Sequence, residues 1–406
     1  MYEIPKMLTG KALTDALTVL PEYDPIIRLK EPSERLVALS GIYKLYLPSA
    51  MSVEIYSKLY LSLIRSLQKK DTKEAVQQYY ENHKNMSGNE CRGIIGGADS
   101  FTIIGCSGIG KSSAISRSLS LLGGNKLLEA TDHYGKVIPC LSVQCPFDSS
   151  VKGLLLEILR KIDEITGSGY YKYAVKTRIA TTDMLIGTVS SVALNHIGIL
   201  IVDEIQNVVN SKNGKNLVGM LTQLINNSGI SIAMVGTPES ASFFEKELQL
   251  ARRSTGLYYG NLEYDDYFRD LCRTAFSYQY VKEQTDITPA ITEWLYEHSN
   301  GIVSVVITLL HDAQETAILS GGEKLDLEVL NGVYKSRLSM LHSFIAPESK
   351  RKSTPRRITT KTATQTQAAV TEELTSIYEI TSSAKKTDRD VIELLKQRII
   401  IEEVQI

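Results

Sequence analysis

The chain has 406 residues, 43% of them hydrophobic, and its 45 Lys and Arg against 46 Asp and Glu leave a net charge of −1. That length calls for two or three structural units with a sizeable core. The balanced charge excludes a global pull toward nucleic acid or membrane, so any basic surface must be local. Five scattered cysteines (Cys91, Cys106, Cys140, Cys145 and Cys272) fit free thiols in a reducing cytoplasm. Cys140 and Cys145 lack C-x-x-C spacing and a nearby His pair, which argues against zinc.

Met1-Tyr2-Glu3-Ile4-Pro5-Lys6 has no basic region leading into an apolar core, so no export signal is expected. Residues 1 to about 90 read as a helical N-terminal extension. Leu36–Leu39 and Ile42–Leu47 supply apolar faces, Pro48 closes that segment, and Val53 to Leu67 has helical period through Ile55, Leu59, Leu63 and Leu67. Lys69 to Lys84 is polar and is expected to form another helix. The extension either braces the next domain or docks a partner, and sequence does not separate the two.

Residues 91–258 alternate strand-like and helix-like segments, the pattern of a parallel α/β sheet. Phe101-Thr102-Ile103-Ile104 is a buried-strand run leading into Gly105-Cys106-Ser107-Gly108-Ile109-Gly110-Lys111-Ser112, which matches G-x-x-x-x-G-K-[ST] at every fixed position, and a helix is expected from Ser113. Glycines let consecutive N–H groups curl around phosphate oxygens, and the following helix turns its positive end to the same anion. Lys111 then reaches the β- and γ-phosphates and Ser112 ligates Mg²⁺, so the segment is expected to bind a nucleoside triphosphate.

Lys136 to Val143 reads as a second strand, Val151 to Ile165 as an amphipathic helix, and Met184 to Val202 as a buried helix and strand, since Asn195 and His196 break it as a membrane span. The strand Ile197–Val202 ends in Asp203-Glu204, where open α/β sheets bind ligands. Asp203 is expected in the Mg²⁺ shell and Glu204 as the base that polarises the attacking water. After the strand Ile230–Val235, Thr237 fits a sensor of the γ-phosphate and equally a hydroxyl capping the turn at Pro238. Arg252-Arg253, after an apolar-periodic segment, fits a solvated helix end and equally a cation supplied to a neighbouring subunit's nucleotide.

Residues 259–345 are expected to be helical, with Ile287–His298 and Ile302–Leu319 broken at Asn300-Gly301. Residues 346–406 begin as a flexible basic stretch (Lys350-Arg351-Lys352, Pro355-Arg356-Arg357, Lys361) and regain apolar residues from Asp388 to Val404, expected as a short docking element.

The order of these motifs, with Gln144–Leu154, Thr166–Tyr171 and Asp203-Glu204-Ile205-Gln206-Asn207, resembles the TnsC/TniB branch of AAA+ ATPases, regulators of Tn-seven-like and CRISPR-associated transposons. The resemblance runs over roughly residues 35–320. It implies an AAA+ P-loop core (Gly105 to Ser113 at the nucleotide) followed by a small helical lid. It also implies ATP and Mg²⁺ as cofactors, ATP-dependent homo-oligomerisation into rings or filaments on duplex DNA, and partners of two kinds, a target selector of TniQ/TnsD type and transposase subunits. No membrane partner is implied. By position the DNA grip falls on Lys152 and on Lys172, Lys176 and Arg178. Tyr170-Tyr171-Lys172-Tyr173, with Lys176 and Arg178, interleaves aromatics with cations and suits sugar–phosphate contact, although an exposed helix start reads the same way. The chain departs from the pattern in the lid: Gly301-Ile302-Val303-Ser304 stands where many members carry an arginine. An Orc-like AAA+ initiator or helicase loader, a P-loop small-molecule kinase, and a scaffold that binds ATP with little turnover are the alternatives.

Overall fold

The computed structural model describes residues 2–72, 77, 100–124, 126–129, 136–176, 181–209, 211–241 and 254–338. The expected helix Lys69–Lys84 lies largely outside these, as do the basic tail and its docking element. The described elements run α1 (Gly10–Leu17), α2 (Pro32–Leu39), α3 (Ala50–Lys70), β1 (Ser100–Gly105), α4 (Lys111–Leu121), β2 (Leu128–Glu129), β3 (Lys136–Gln144), α5 (Val151–Thr166), α6 (Tyr170–Lys176), α7 (Thr182–His196), β4 (Ile197–Asp203), α8 (Gly214–Ser228), β5 (Ser231–Gly236), β6 (Ser254–Tyr259), α9 (Asp266–Ser277), α10 (Pro289–Ser299), α11 (Val303–Ser320) and α12 (Leu327–Arg337).

Six strands form one sheet in the order β2-β3-β4-β5-β1-β6, and all pairs are parallel except β2 with β3. The four strands read from sequence are all present. The edge strand β6 was not among them: Gly256 interrupts its apolar run, and only pairing with β1 from Ser100↔Ser254 to Gly105↔Tyr259 makes it a strand. Alternate residues along the inner strands enter opposite cores. Leu200 and Val202 of β4 and Ile232 and Met234 of β5 face α5, α7 and α8, whereas Ile199, Ile201, Ala233 and Val235 face the other side. Both faces are buried, which is why these strands read as continuous apolar runs.

The second face is covered by α1, α3 and α4, with Leu13, Leu17, Ile55, Tyr56, Leu59 and Leu63 packed against Phe101, Ile103 and Ile115. The N-terminal segment is therefore one layer of the α/β/α sandwich, and a division at residue 90 does not follow the packing. Nor is the segment of one piece: Leu39, Ile42 and Leu45 join a separate core with α9–α12, among them Phe268, Phe276, Leu295, Leu310 and Leu330. At its centre Arg35, fully buried, donates to both carboxylate oxygens of Glu323 (2.6 and 2.7 Å) and to the Tyr280 carbonyl (3.1 Å). The guanidinium beside it holds the Glu323 carboxyl below the usual range. Among the described residues no single helix is long and apolar enough to cross a membrane.

Removing one partner of a buried ion pair leaves the other charge uncompensated. Glu323→Ala is expected to cost about 3 kcal/mol of stability in urea unfolding. Lys282→Ala, removing a half-exposed lysine 3.8 Å from the same carboxylate, should cost well under about 1 kcal/mol. Equal losses from the two would show that Arg35 draws no specific support from Glu323.

Candidate nucleotide site

β1 delivers the nucleotide loop to the C-terminal edge of the sheet, and the loop's glycines are needed for two different reasons. Gly108 and Gly110 have positive φ values of 83° and 99°, and Gly110 caps α4 in the left-handed conformation. Gly105 is required by closeness: a Cβ there would stand 2.7 Å from Ile109 Cδ1 and 2.9 Å from the Tyr259 carbonyl of β6. A Cβ on Gly108 would stand 2.2 Å from Ser304 Oγ and 2.9 Å from Ile302 Cγ2. The Ser304 amide at the start of α11 also donates to the Gly108 carbonyl at 3.0 Å. The loop is thus clasped between the sheet edge and the lid, whose contact is made by the backbone and side chain of Ser304.

Lys111, the first residue of α4, is buried, and its Nζ donates to the carbonyls of Gly105 (2.6 Å) and Cys106 (2.8 Å). Burial pushes its pKa down, opposed by Asp203, Glu204 and Glu239, which favour the ammonium. Ser112 Oγ donates to Asp203 Oδ2 at 3.3 Å, although β5 separates β1 from β4 in the sheet. Asp203 Oδ1 accepts the Glu204 backbone N–H at 2.8 Å, which fixes Glu204 at a positive φ of 58°. The Glu204 carboxylate is exposed and accepts from Gln206 Nε2.

Thr237 follows β5, whose Gly236 pairs with Ile104 of β1, so it stands next to the loop. Its hydroxyl makes no cap to the turn Pro238–Ser240; its carbonyl receives both the amide and the hydroxyl of Ser240 instead (3.0 and 2.6 Å). Thr237 lies against Glu239 and, with Lys111, holds that carboxyl below the usual range. Arg252 and Arg253 lie outside the described residues, immediately before β6.

The residues present fit a nucleoside triphosphate with Mg²⁺. The cradle has no room for a Cβ at two glycines, a buried ammonium lies beside it, and a hydroxyl–carboxylate pair joins Ser112 to the end of β4, two strands away. Among the described residues no cluster of three or more His, Cys, Asp or Glu is arranged for a metal.

Of the expected DNA-binding positions, Lys152 lies at this edge of the sheet, whereas α6 sits at the opposite edge, where Tyr170 meets His196 before β4 and His196 Nδ1 is bonded to the Lys136 carbonyl at the start of β3. Lys152 is exposed on the first turn of α5, whose N-cap Ser150 accepts from the Gly153 amide (3.1 Å). The loop before it is tied to the segment after Glu204: Cys145 N donates to the Asp203 carbonyl (2.8 Å), Asn207 Nδ2 to the Cys145 carbonyl (2.9 Å), and Ser211 Oγ to the Asp148 carbonyl (2.9 Å). A cavity of about 710 Å³ lies between α5 and the end of β4, lined by Gln144, Phe147, Arg160, Asp203, Glu204 and Asn207. Lys172 and Lys176 are exposed on α6 with Tyr173, whereas Tyr170 and Tyr171 turn partly inward; Tyr170 bonds His196 Nε2 at 2.9 Å. Arg178 lies outside the described residues. Sequence reasoning did not single out Ser304 or Gln206, whose contacts depend on tertiary register; the Asn300-Gly301 break was the one signal near the first.

Residues 96–259 match the family described as bacterial TniB protein, a span that takes in the loop, the acidic pair, Thr237 and the two arginines. Over this span the resemblance to TniB seen in the order of motifs holds, and the sheet order with its loop and helical lid is the fold of AAA+ P-loop proteins. No curated protein matches the sequence. Similar solved structures include the Aeropyrum pernix Orc1 protein in complex with DNA, at 12% identity and TM-score 0.42 over 66% of this chain and 65% of that one. The chain thus spans slightly under two thirds of the Orc1 chain. A Thermotoga maritima RuvB variant is similar at 12% identity and TM-score 0.36, over 82% of this chain and 89% of that one. Domain III of the Thermotoga maritima replication initiation protein DnaA is similar at 14% identity and TM-score 0.34, over 66% and 91%.

Gly108→Ala meets both the positive φ and the lid, so it is expected to weaken binding of a fluorescent ATP analogue at least tenfold. Gly124→Ala, also at positive φ but with nothing within 4 Å, controls for backbone strain alone. Equal effects on affinity would mean that the lid contact plays no part.

Proposed function

We propose that the chain is an ATP-hydrolysing regulator of DNA transposition that assembles on duplex DNA and joins a target selector of TniQ/TnsD type to transposase subunits. The observation that carries this reading is the convergence of Lys111, Ser112, Asp203 and Glu204 at one sheet edge, with the Lys152 loop bonded to the segment that follows them. The match of residues 96–259 to the TniB family supports the biological setting.

When bound, the nucleotide supplies the γ-phosphoryl group and Mg²⁺ the charge that neutralises it. The chain's own residues do the rest. The loop amides from Gly105 to Ser113 and the Lys111 ammonium hold the phosphates; Ser112 and Asp203 hold the metal; Glu204 takes the proton of the attacking water; Thr237 reads the γ-phosphate. Arg252 or Arg253 serves the neighbouring copy's nucleotide. Lys152, Lys172, Lys176 and Arg178 contact the phosphate backbone. In domain terms, 91–258 with α1 and α3 packed on its sheet is the nucleotide core, 259–345 with Leu39, Ile42 and Leu45 is the lid, the N-terminal segment that braces both also docks a partner, and 346–406 is a basic tether with a docking element.

Sedimentation with and without duplex DNA, ATP or ADP tests the proposal. Large assemblies are expected only with ATP and DNA together and should be lost in Lys111→Ala. A monomer indifferent to DNA in every condition would overturn the reading. Lys152→Ala should weaken binding to unrelated duplexes alike and flatten the slope of log affinity against log salt, since phosphate contacts carry no base information. A loss confined to one DNA sequence would contradict backbone contact.

A further inference from the structure

Glu204 is held at its backbone but not, by itself, at its carboxylate. The backbone is pinned by the bond from its own N–H to Asp203 Oδ1 and by its positive φ of 58°. The side chain is exposed, and its torsions are free to sample several staggered wells in water. A base that waits for one water in one place loses most of its effect when misplaced by an ångström.

Among the described residues, the hydrogen-bond donor that reaches the Glu204 carboxylate is Nε2 of Gln206, at the head of the 3₁₀ turn Ile205–Val208. The other end of that amide is wedged. Gln206 Oε1 is buried without a hydrogen-bond partner and lies against the end of β5, where a Cβ on Gly236 would stand 3.1 Å from it. The same position would put a Cβ 2.7 Å from Ile205 Cγ2 and 2.9 Å from Ser240 Oγ, so Gly236 is what lets the turn sit this close. Reversing the amide would set its oxygen against the carboxylate, two acceptors face to face, so the donor must point at Glu204. Gln206 therefore spans from the turn carrying Thr237 to the residue read as the base. Leaving Oε1 unpaired in the interior has a cost, which a residue serving only packing would not require.

We propose that Gln206 is a positioning residue for hydrolysis: it aims the Glu204 carboxylate and ties that aim to the Gly236–Thr237 turn, so that the strand end facing the γ-phosphate and the base move together. The proposal rests on the reading of Glu204 as general base.

The test is steady-state ATP hydrolysis by the full chain, with affinity for a fluorescent ATP analogue and the melting temperature measured on the same preparations. Gln206→Met keeps the length of the side chain and removes the donor. It is expected to lower kcat about tenfold or more, with KM and analogue affinity within about twofold of the parent, as loss of orientation alone would give. Gly236→Ala presses on the amide from its other end and is expected to reproduce the split. A kcat unchanged in Gln206→Met would overturn the proposal, as would a fall in affinity or melting temperature that accounts for the lost turnover. Glu204→Gln keeps the two failures apart. Turnover surviving in Glu204→Gln would sink the general-base reading itself. Turnover abolished there but intact in Gln206→Met would remove only the positioning role.

Discussion

A lysine ammonium taken out of water at the mouth of a buried parallel sheet must be given acceptors and opposite charge, and the arrangement of the nucleotide edge follows from that requirement. Lys111 meets it locally with two loop carbonyls and at longer range with the charges of Asp203, Glu204 and Glu239. The loop carbonyls come from β1, the first two carboxylates from the end of β4, and the third from the turn after β5. The ammonium can be satisfied only where these strand ends meet, so the sheet order and the phosphate-binding chemistry are one constraint. In such a site an incoming polyphosphate offers the ammonium oxygens of opposite charge in place of neutral carbonyls, which gives Lys111 a reason to leave its resting partners.

The parts of this edge that were legible in the sequence are those whose chemistry fixes both residue type and spacing. The glycines, Lys111 and Ser112 stand on consecutive residues of one loop, and Asp203-Glu204 ends an apolar run that could only be a buried strand. The inner strands β3, β4 and β5 were legible because burial on both faces leaves little choice but β-branched and aliphatic residues. β6 was not: six residues with a glycine among them have no period of their own, and the strand exists because β1 offers an unpaired edge.

What sequence could not give was long-range partnership. The helical period of Val53 to Leu67 was plain, but nothing local says that this face closes the second side of the sheet. Arg35 reads as a surface charge, and only Glu323, 288 residues away, makes it a buried one. Gln206 sits inside a recognisable string, yet its contact depends on how the end of β4 sits beside Gly236. Ser304 likewise gains its place from the fold of the lid, where the motif pattern led one to look for an arginine. Arg252, Arg253 and Arg178 fall outside the described residues, so their roles rest on sequence.

The path of the backbone between the two cores sets how the lid can move. The chain leaves the sheet's core after Leu17, enters the lid's core by Tyr23, and returns between Leu45 and Met51. The outgoing and returning strands are joined where Val19 and Tyr46 exchange two backbone hydrogen bonds of 2.8 Å, so the pair forms a single two-stranded strap. A second connection runs from Tyr259 to Leu262. A body attached at one point can swivel in any direction, whereas one attached at two can only swing about the line joining them. Among the described residues the lid is therefore hung at two places, a door on two pins rather than a ball on a string. Its latch is the Ser304 amide on the Gly108 carbonyl, at the loop where the nucleotide phosphates belong.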